Sequence, residues 1–406
     1  MRRAVVGFVA ILVGSAACRG RSDKPRPMPD LVRIELSAGP GAQTPNLNAG
    51  PEGAVALTWQ EPRAQGAVVA FSLRSASAWS PPSTLASGQR MFVNWADFPS
   101  MIHTDGGRMI ATWLRRFDGE AAGYGIDFVH SKDAGQTWSS PVRLHAHEGG
   151  PEYGFVSMAR VADATTALFW LDGRASGGHA GGGAMQLRTA NVTAEGTIVD
   201  RRLVDDRVCD CCQTAAASTS EGPVVIYRDR SAQEVRDIAL AGPGPGERRV
   251  VGNDGWTIAG CPVNGPAVAA SDAGLVAAWY TAASGTAAVR LAFATLHGEF
   301  SAPVRVDVGN PLGRVDVEWL DADRALVSFV EAPSTGTGDG ELLARRVDRR
   351  GDVGPPWVVA SVAASNATGF PRMARSAQTM VWAWTDGRSE PSSVQLAEAP
   401  VGSLLR

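Results

Sequence analysis

Seven short apolar runs, each closed by an aromatic residue, recur along the chain. They end at Trp59, Trp113, Trp170, Tyr227, Trp279, Phe329 and Trp384, at intervals of 50 to 57 residues. Each run is only about five residues long, which suits a buried strand better than a helix. Three more stretches of strand composition surround each run. One lies upstream, as at 98–103, 155–161 and 370–376, and one downstream, as at 68–75, 126–131 and 289–295. The last follows a Pro-containing turn that begins at Trp79, Trp138 or Phe300. Four short strands per repeating unit is the pattern of a propeller blade, which must stack on its neighbours to bury both faces. The pattern predicts an all-β fold, a seven-bladed β-propeller of four-stranded blades, with residues 31–400 as one domain. The last unit has room for only three strands, so the strand-like stretch 31–37 is expected to supply its fourth strand and close the ring.

Composition narrows the partners. The chain has 406 residues, 44% hydrophobic and 19% charged, with a net charge of −3. That is enough apolar material for a large core. With no basic stripe, nucleic acid is excluded as a partner. No P-loop, dinucleotide fingerprint, H-E-x-x-H or G-x-S-x-G string is present, so no nucleotide, flavin or hydrolytic metal is expected. A monomer is expected.

The N-terminus has the grammar of export. Arg2 and Arg3 precede an apolar segment over 4–14 and small residues at 15–17. The string Ser-Ala-Ala-Cys at 15–18 resembles the lipobox of bacterial lipoproteins. That resemblance implies a signal peptide over 1–17, lipidation at Cys18, and a place in the bacterial cell envelope. The only membrane contact would be through the lipid, with the polar, Pro-rich segment 18–30 as a tether.

Residues 131–138, Ser-Lys-Asp-Ala-Gly-Gln-Thr-Trp, match S-x-D-x-G-x-x-W at Ser131, Asp133, Gly135 and Trp138. This resembles the Asp-box of bacterial sialidases and other BNR-repeat propellers. The resemblance implies a structural turn between third and fourth strands, with six blades as the alternative count. It also implies a glycoside hydrolase or lyase as the alternative to a binding protein. Sialidases use three Arg on a substrate carboxylate, a Tyr paired with a Glu, an Asp acid/base, and an Arg-Ile-Pro motif. The nearest string to that motif here is Arg33-Ile34-Glu35. The function expected is therefore binding of a glycan, acidic sugar or protein ligand at an axial mouth.

Charged residues cluster just past the second strands: Arg115-Arg116, Asp172 with Arg174, Arg228-Asp229-Arg230, and Asp386 with Arg388. Ring closure should bring them to one end of the molecule. There they either bridge blades or present guanidinium forks to an anion. Cys209, Cys211, Cys212 and Cys261 enter the innermost strands of the fourth and fifth units, flanked by Asp210, Gln213 and Asn264. Four cysteines in an oxidising compartment are read first as disulfides. The alternative is a soft thiolate site for copper or zinc; the C-x-C-C run is read as departing from zinc spacing. His145 and His147 are read as surface residues.

Overall fold

The computed structural model describes residues 24–406 except 76–77, 118–122, 147–151, 163, 177–182, 245, 334 and 337. The signal segment, Cys18 and His147 lie outside the described residues. Seven sheets stand around one axis, each built on four antiparallel strands, and two of them carry a fifth. Their innermost strands are Gln43–Ala49, Ser100–His103, Tyr153–Arg160, Ala215–Thr219, Ala267–Ser271, Pro311–Trp319 and Arg372–Ser376. Each neighbours the next, and the seventh returns to the first, so the ring is closed.

The seven aromatic-ended runs are the second strands of the blades. Trp59, Trp170, Tyr227, Trp279, Phe329 and Trp384 are all fully buried, and Trp113 nearly so. The core is therefore not one mass. It is a set of interblade layers, such as the one joining Ile226 and Leu240 of blade 4 to Leu275 and Trp279 of blade 5. Two of the fourth strands are short, two residues each at Val142–Arg143 and Val304–Arg305. Pro141 and Pro303 precede them and cannot donate to a ladder, so pairing begins only after the proline.

Val32–Ile34 lies antiparallel on Ser393–Pro400, with Val32 opposite Glu398 and Ile34 opposite Leu396. It is the fourth strand of blade 7. The residues before it depart from the expected free tether. Arg26–Pro27 runs parallel to Trp357–Val358 on the edge of blade 6, and Met28 is buried in the layer between blades 6 and 7.

Three innermost strands carry a bulge near their start. Thr44, Phe155 and Arg314 adopt φ near +55°, and the strand register shifts beside each. The bulge turns one backbone N–H out of the ladder. Thr44 donates to Thr385 Oγ1 at 3.1 Å, Phe155 to Asp97 Oδ2 at 2.7 Å, and Arg314 to Asn264 Oδ1 at 2.8 Å. Each acceptor belongs to the preceding blade or to the loop that enters its innermost strand, so the bulges act as a repeated latch between neighbours.

The turn at 131–138 is built from its own side chains. Ser131 Oγ donates to Asp133 Oδ1 at 2.8 Å and accepts Gly135 N–H at 2.9 Å. Thr137 gives its N–H and its hydroxyl to the two oxygens of Asp133, at 2.9 and 2.5 Å. Gly135 has φ +83°, where a β-carbon would be strained. Trp138 folds edge-on to Phe71 of blade 1, ring centroids 5.7 Å apart. These bonds sit at the surface rather than in the interior. They hold the Asp133 carboxyl down to about 2, chiefly through the Thr137 hydroxyl and N–H. A carboxyl lowered on folding adds stability above its unfolded value near 4, and that contribution is lost as pH falls toward 2. Asp133→Ala is therefore expected to flatten the dependence of melting temperature on pH between about 4 and 2 and to leave ligand binding unchanged. Thermal melts at stepped pH check this.

Candidate functional site

Chain direction puts the loops that enter each innermost strand, and those joining second to third strands, at one end of the ring, called here the top. Nearly all the sequence-predicted candidates lie there, but an open axial mouth does not. Residues 94–97 reach across the axis. Asp97 holds the entrance of blade 3, and Ala96 O accepts Gln213 Nε2 of blade 4 at 2.6 Å. Trp95 stacks on Phe370 of blade 7 with centroids 5.8 Å apart. The guanidinium of Arg314 of blade 6 lies 5.5 Å from the Trp95 ring. One segment touching four blades caps the channel. Beneath it a polar cavity of about 220 Å³ runs between Asn46, Ser157, Asp316 and Arg372.

The cap changes the reading of three candidates. Gln213, Asn264 and Arg228 are buried and occupied by backbone. Gln213 Oε1 accepts Gly265 N–H at 3.1 Å, and Asn264 Nδ2 donates to Leu312 O at 3.2 Å. Arg228 donates to Asn264 O, Arg236 O and Tyr280 O at 2.7 to 3.1 Å. They tie blades together and offer no surface to a ligand. His145 is likewise buried, stacked on Tyr153 with centroids 3.8 Å apart, and not a surface residue.

The other arginines pair within or beside their own blade. Arg115 meets Asp127 at 2.5 Å and Arg174 meets Asp172 at 2.7 Å. Arg230 meets Asp210 at 2.9 Å, Arg388 meets Asp386 at 2.8 Å, and Asp229 pairs with Arg248. Asp172, Arg174, Asp386 and Arg388 belong to one repeated device. Two residues after the aromatic stands a carboxylate, and two after that an arginine. Blade 1 has Trp59, Glu61 and Arg63; blade 3 has Trp170, Asp172 and Arg174; blade 7 has Trp384, Asp386 and Arg388. In blades 1 and 3 the indole N–H also donates to the carboxylate, Trp59 Nε1 to Glu61 Oε1 at 2.8 Å and Trp170 Nε1 to Asp172 Oδ2 at 2.9 Å. These carboxylates are thus held by an indole, a guanidinium, or both.

Blade 6 keeps the carboxylate and loses both partners. Its aromatic is Phe329, which has no N–H, and the arginine position is Pro333. Glu331 is buried, its Oε1 accepts Asn310 N–H, and its Oε2 lies buried without a hydrogen bond of normal geometry. Burial pushes its carboxyl up, with Asp307 adding to the rise and the N–H groups of Asn310 and Val308 and the charge of Arg305 opposing it. It lines a groove of about 910 Å³ on the top face, together with Asn310, Asp339, Glu341 and Lys24. A hollow of about 180 Å³ shares Ser361 with the groove; in it Arg388, Asp386 and Gln395 stand beside Arg33, whose guanidinium lies 4.3 Å from the Trp384 ring. Arg388 reaches from it to Asp339 at 3.4 Å.

Sequence reasoning passed over Glu331, although its offset from Phe329 matches that of Asp172 from Trp170. The signal was the missing arginine, visible only when the units are compared column by column. Asp97 was also missed. It is fully buried on the entrance of blade 3, and burial raises its carboxyl to about 7, with Glu152 adding to the rise and the Phe155 N–H opposing it. Tyr124 beside it bonds to Glu152 and is pushed up by burial.

The four cysteines do come together. Cys209 and Cys212 are buried with Sγ atoms 2.9 Å apart, and Cys211 lies within 4.8 Å of both. Cys261 is exposed and within bonding reach of Cys211. No disulfide links them in this structure. Bonds from Cys211 and Cys212, and the charge of Arg228, hold the Cys209 thiol well below its usual range. The expectation about zinc spacing needs correction: Cys209 and Cys212 stand two residues apart in the C-x₂-C sense.

No family model matches the sequence, and no curated protein matches it. Solved structures do match in fold. The α-L-arabinanase of Penicillium chrysogenum, complexed with arabinobiose, is 9% identical over 92% of this chain and 99% of its own, with a TM-score of 0.51. The GH93 α-L-arabinofuranosidase of Fusarium graminearum, also with arabinobiose, is 12% identical over 93% and 99%, with a TM-score of 0.50. The Hadza microbial sialidase Hz136 is 12% identical over 71% of this chain, with a TM-score of 0.46; the chain spans 63% of its length. At these identities the shared feature is the propeller fold.

Proposed function

We propose that this propeller is a carbohydrate-binding protein of the bacterial cell envelope that holds its sugar in the top-face groove of blade 6. The observation that carries the reading is Glu331, a buried carboxylate stripped of the indole and arginine that its counterparts in blades 1 and 3 keep. A buried acceptor left unpaired costs about 1–3 kcal/mol. A sugar hydroxyl donating to Oε2 offsets that cost when it binds. Asn310, Asp339 and Glu341 supply more partners for hydroxyls along the same groove. Three carboxylates against Lys24 favour a neutral sugar over an acidic one, and two arabinan-degrading enzymes of the same fold were solved with such a sugar. Export and anchoring through Cys18 complete the reading and rest on the N-terminal sequence.

The test is a glycan array carrying neutral and sialylated oligosaccharides, arabinobiose included, probed with the parent and two variants. Glu331→Gln removes the ionised acceptor. Pro333→Arg restores the guanidinium of blades 1, 3 and 7 and should occupy Glu331 from within. The expected result is binding of neutral sugars by the parent, weakened at least about tenfold in both variants, as loss of one charged hydrogen bond implies. Binding should also weaken as pH falls and Glu331 takes up a proton. No binding by the parent, or equal binding by all three proteins, overturns the reading. Assaying the same sugars for reducing ends tests the hydrolase alternative.

A further inference from the structure

We propose that Cys209, Cys211, Cys212 and Cys261 form a binding site for a thiophilic d¹⁰ metal ion, Cu(I) or Zn(II), at the top face between blades 4 and 5. The site is separate from the sugar groove and does not depend on it. Three sulfurs come from a single turn and lie together, and the fourth, from a loop about 50 residues later, is within bonding reach of Cys211. A tetrahedral thiolate site has Zn–S bonds of about 2.3 Å, which places its sulfurs roughly 3.8 Å from one another. The Sγ atoms of Cys209, Cys211 and Cys212 all lie within 4.8 Å, so small side-chain rotations span that range.

Two disulfides would use the same four atoms, but the surroundings of Cys209 favour charged sulfur. Arg236 is buried and aims Nη1 at Cys209 Sγ from 3.3 Å. Glu234 fixes that guanidinium at 2.7 Å, and Arg230 in turn holds Glu234 at 2.8 Å and Asp210 at 2.9 Å. A cationic donor held in place toward sulfur stabilises a thiolate; a disulfide sulfur is neutral and a poor acceptor. A disulfide from Cys209 to Cys212 would also close a loop of only four residues inside a turn already pinned by the Cys209 N–H to Arg228 O bond at 3.0 Å. The chain-entropy gain from so short a loop is small. Burial is graded across the cluster: Cys209 and Cys212 are enclosed, Cys211 is half-buried and Cys261 exposed. An ion can therefore reach the site from solvent past Cys261 and lodge against the enclosed pair. Each thiol that ligates gives up its proton to solvent, and no redox step is involved.

The experiment uses the whole chain given by the sequence, isolated without oxygen or added metal, then stripped with chelator and titrated separately with Cu(I) and Zn(II) against competing chelators. One ion per chain is expected, with thiolate-to-metal charge-transfer absorption in the ultraviolet and a raised melting temperature. The double variant Cys211→Ser, Cys261→Ser alters the accessible side, where folding is least at risk; its far-ultraviolet circular dichroism confirms the fold. It should bind at least about 100-fold more weakly, beyond the roughly 10–100-fold typical of losing a group behind a ligand. Arg236→Met should bind more weakly than the parent. Two intramolecular disulfides in the protein as isolated, no stoichiometric uptake after reduction, or unchanged affinity in the double variant would each overturn the proposal.

Discussion

Removal of residues 24–37 should lower the melting temperature more than any single substitution outside the core. Blade 7 takes three strands from the end of the chain, and its outer strand Ser393–Pro400 is covered only by Val32–Ile34. The same segment fills gaps on both sides. Met28 packs in the layer with Leu326 and Trp382, and Leu31 borders it. Ile34 and Leu36 pack against Trp59 and Leu396. Arg33 lies over Trp384 and donates to Val359 O at 3.2 Å. Exposing these four apolar side chains and their partners costs roughly 5 kcal/mol at about 25 cal/mol per Å². For a domain of this size that is a fall of roughly 5–8 °C. Two uncovered strand edges should also promote association. Calorimetry and light scattering on the truncated protein check both effects. A melt indistinguishable from the parent would show that the ring is closed without this strand.

Arg228→Met should destabilise by about 3–5 kcal/mol, because it leaves three buried carbonyls without their donor. The side chain is fully enclosed, its guanidinium 5.0 Å from the Trp256 ring, and its three nitrogens reach Asn264, Arg236 and Tyr280. No other residue type offers this fork: Met fills the volume but not the hydrogen bonds, and Lys cannot span the three acceptors. The loss should concentrate at the entrance of blade 5. Hydrogen exchange at 257–266 should rise more than in blade 1, while chemical denaturation shows the global change. Near-parental stability would mean that the carbonyls find water, and that the latch between blades 4 and 5 is weaker than its geometry indicates.

The blade count was legible because the period is carried by large residues. Seven buried aromatics at even spacing leave few alternatives, and short strands with prolines before the fourth fit only a radial repeat. The site was legible in place but not in role. The segment that caps the axis, with Trp95 and Ala96, has no repeat signature. Its contacts with blades 3, 4, 6 and 7 depend on ring geometry, which local pattern does not encode. Gln213, Asn264 and Arg228 therefore read as mouth residues when they are latches; a polar side chain near a loop looks the same in sequence whether it faces solvent or a neighbouring carbonyl. Glu331 shows the reverse case. Its type and offset are ordinary, and it stands out only through what its blade lacks, the indole at 329 and the arginine at 333. The tether before residue 31 was misjudged for a simpler reason: Arg26–Pro27 pairs with blade 6 through backbone, which side-chain polarity does not reveal.

The most direct measurement is a crystal structure of the protein with whichever neutral oligosaccharide binds it most strongly on the array. The account predicts a sugar seated over blade 6, one hydroxyl donating to Glu331 Oε2 and others meeting Asn310, Asp339 or Glu341. A sugar bound over blades 2 to 5 instead, with Glu331 Oε2 still unpaired, would contradict it.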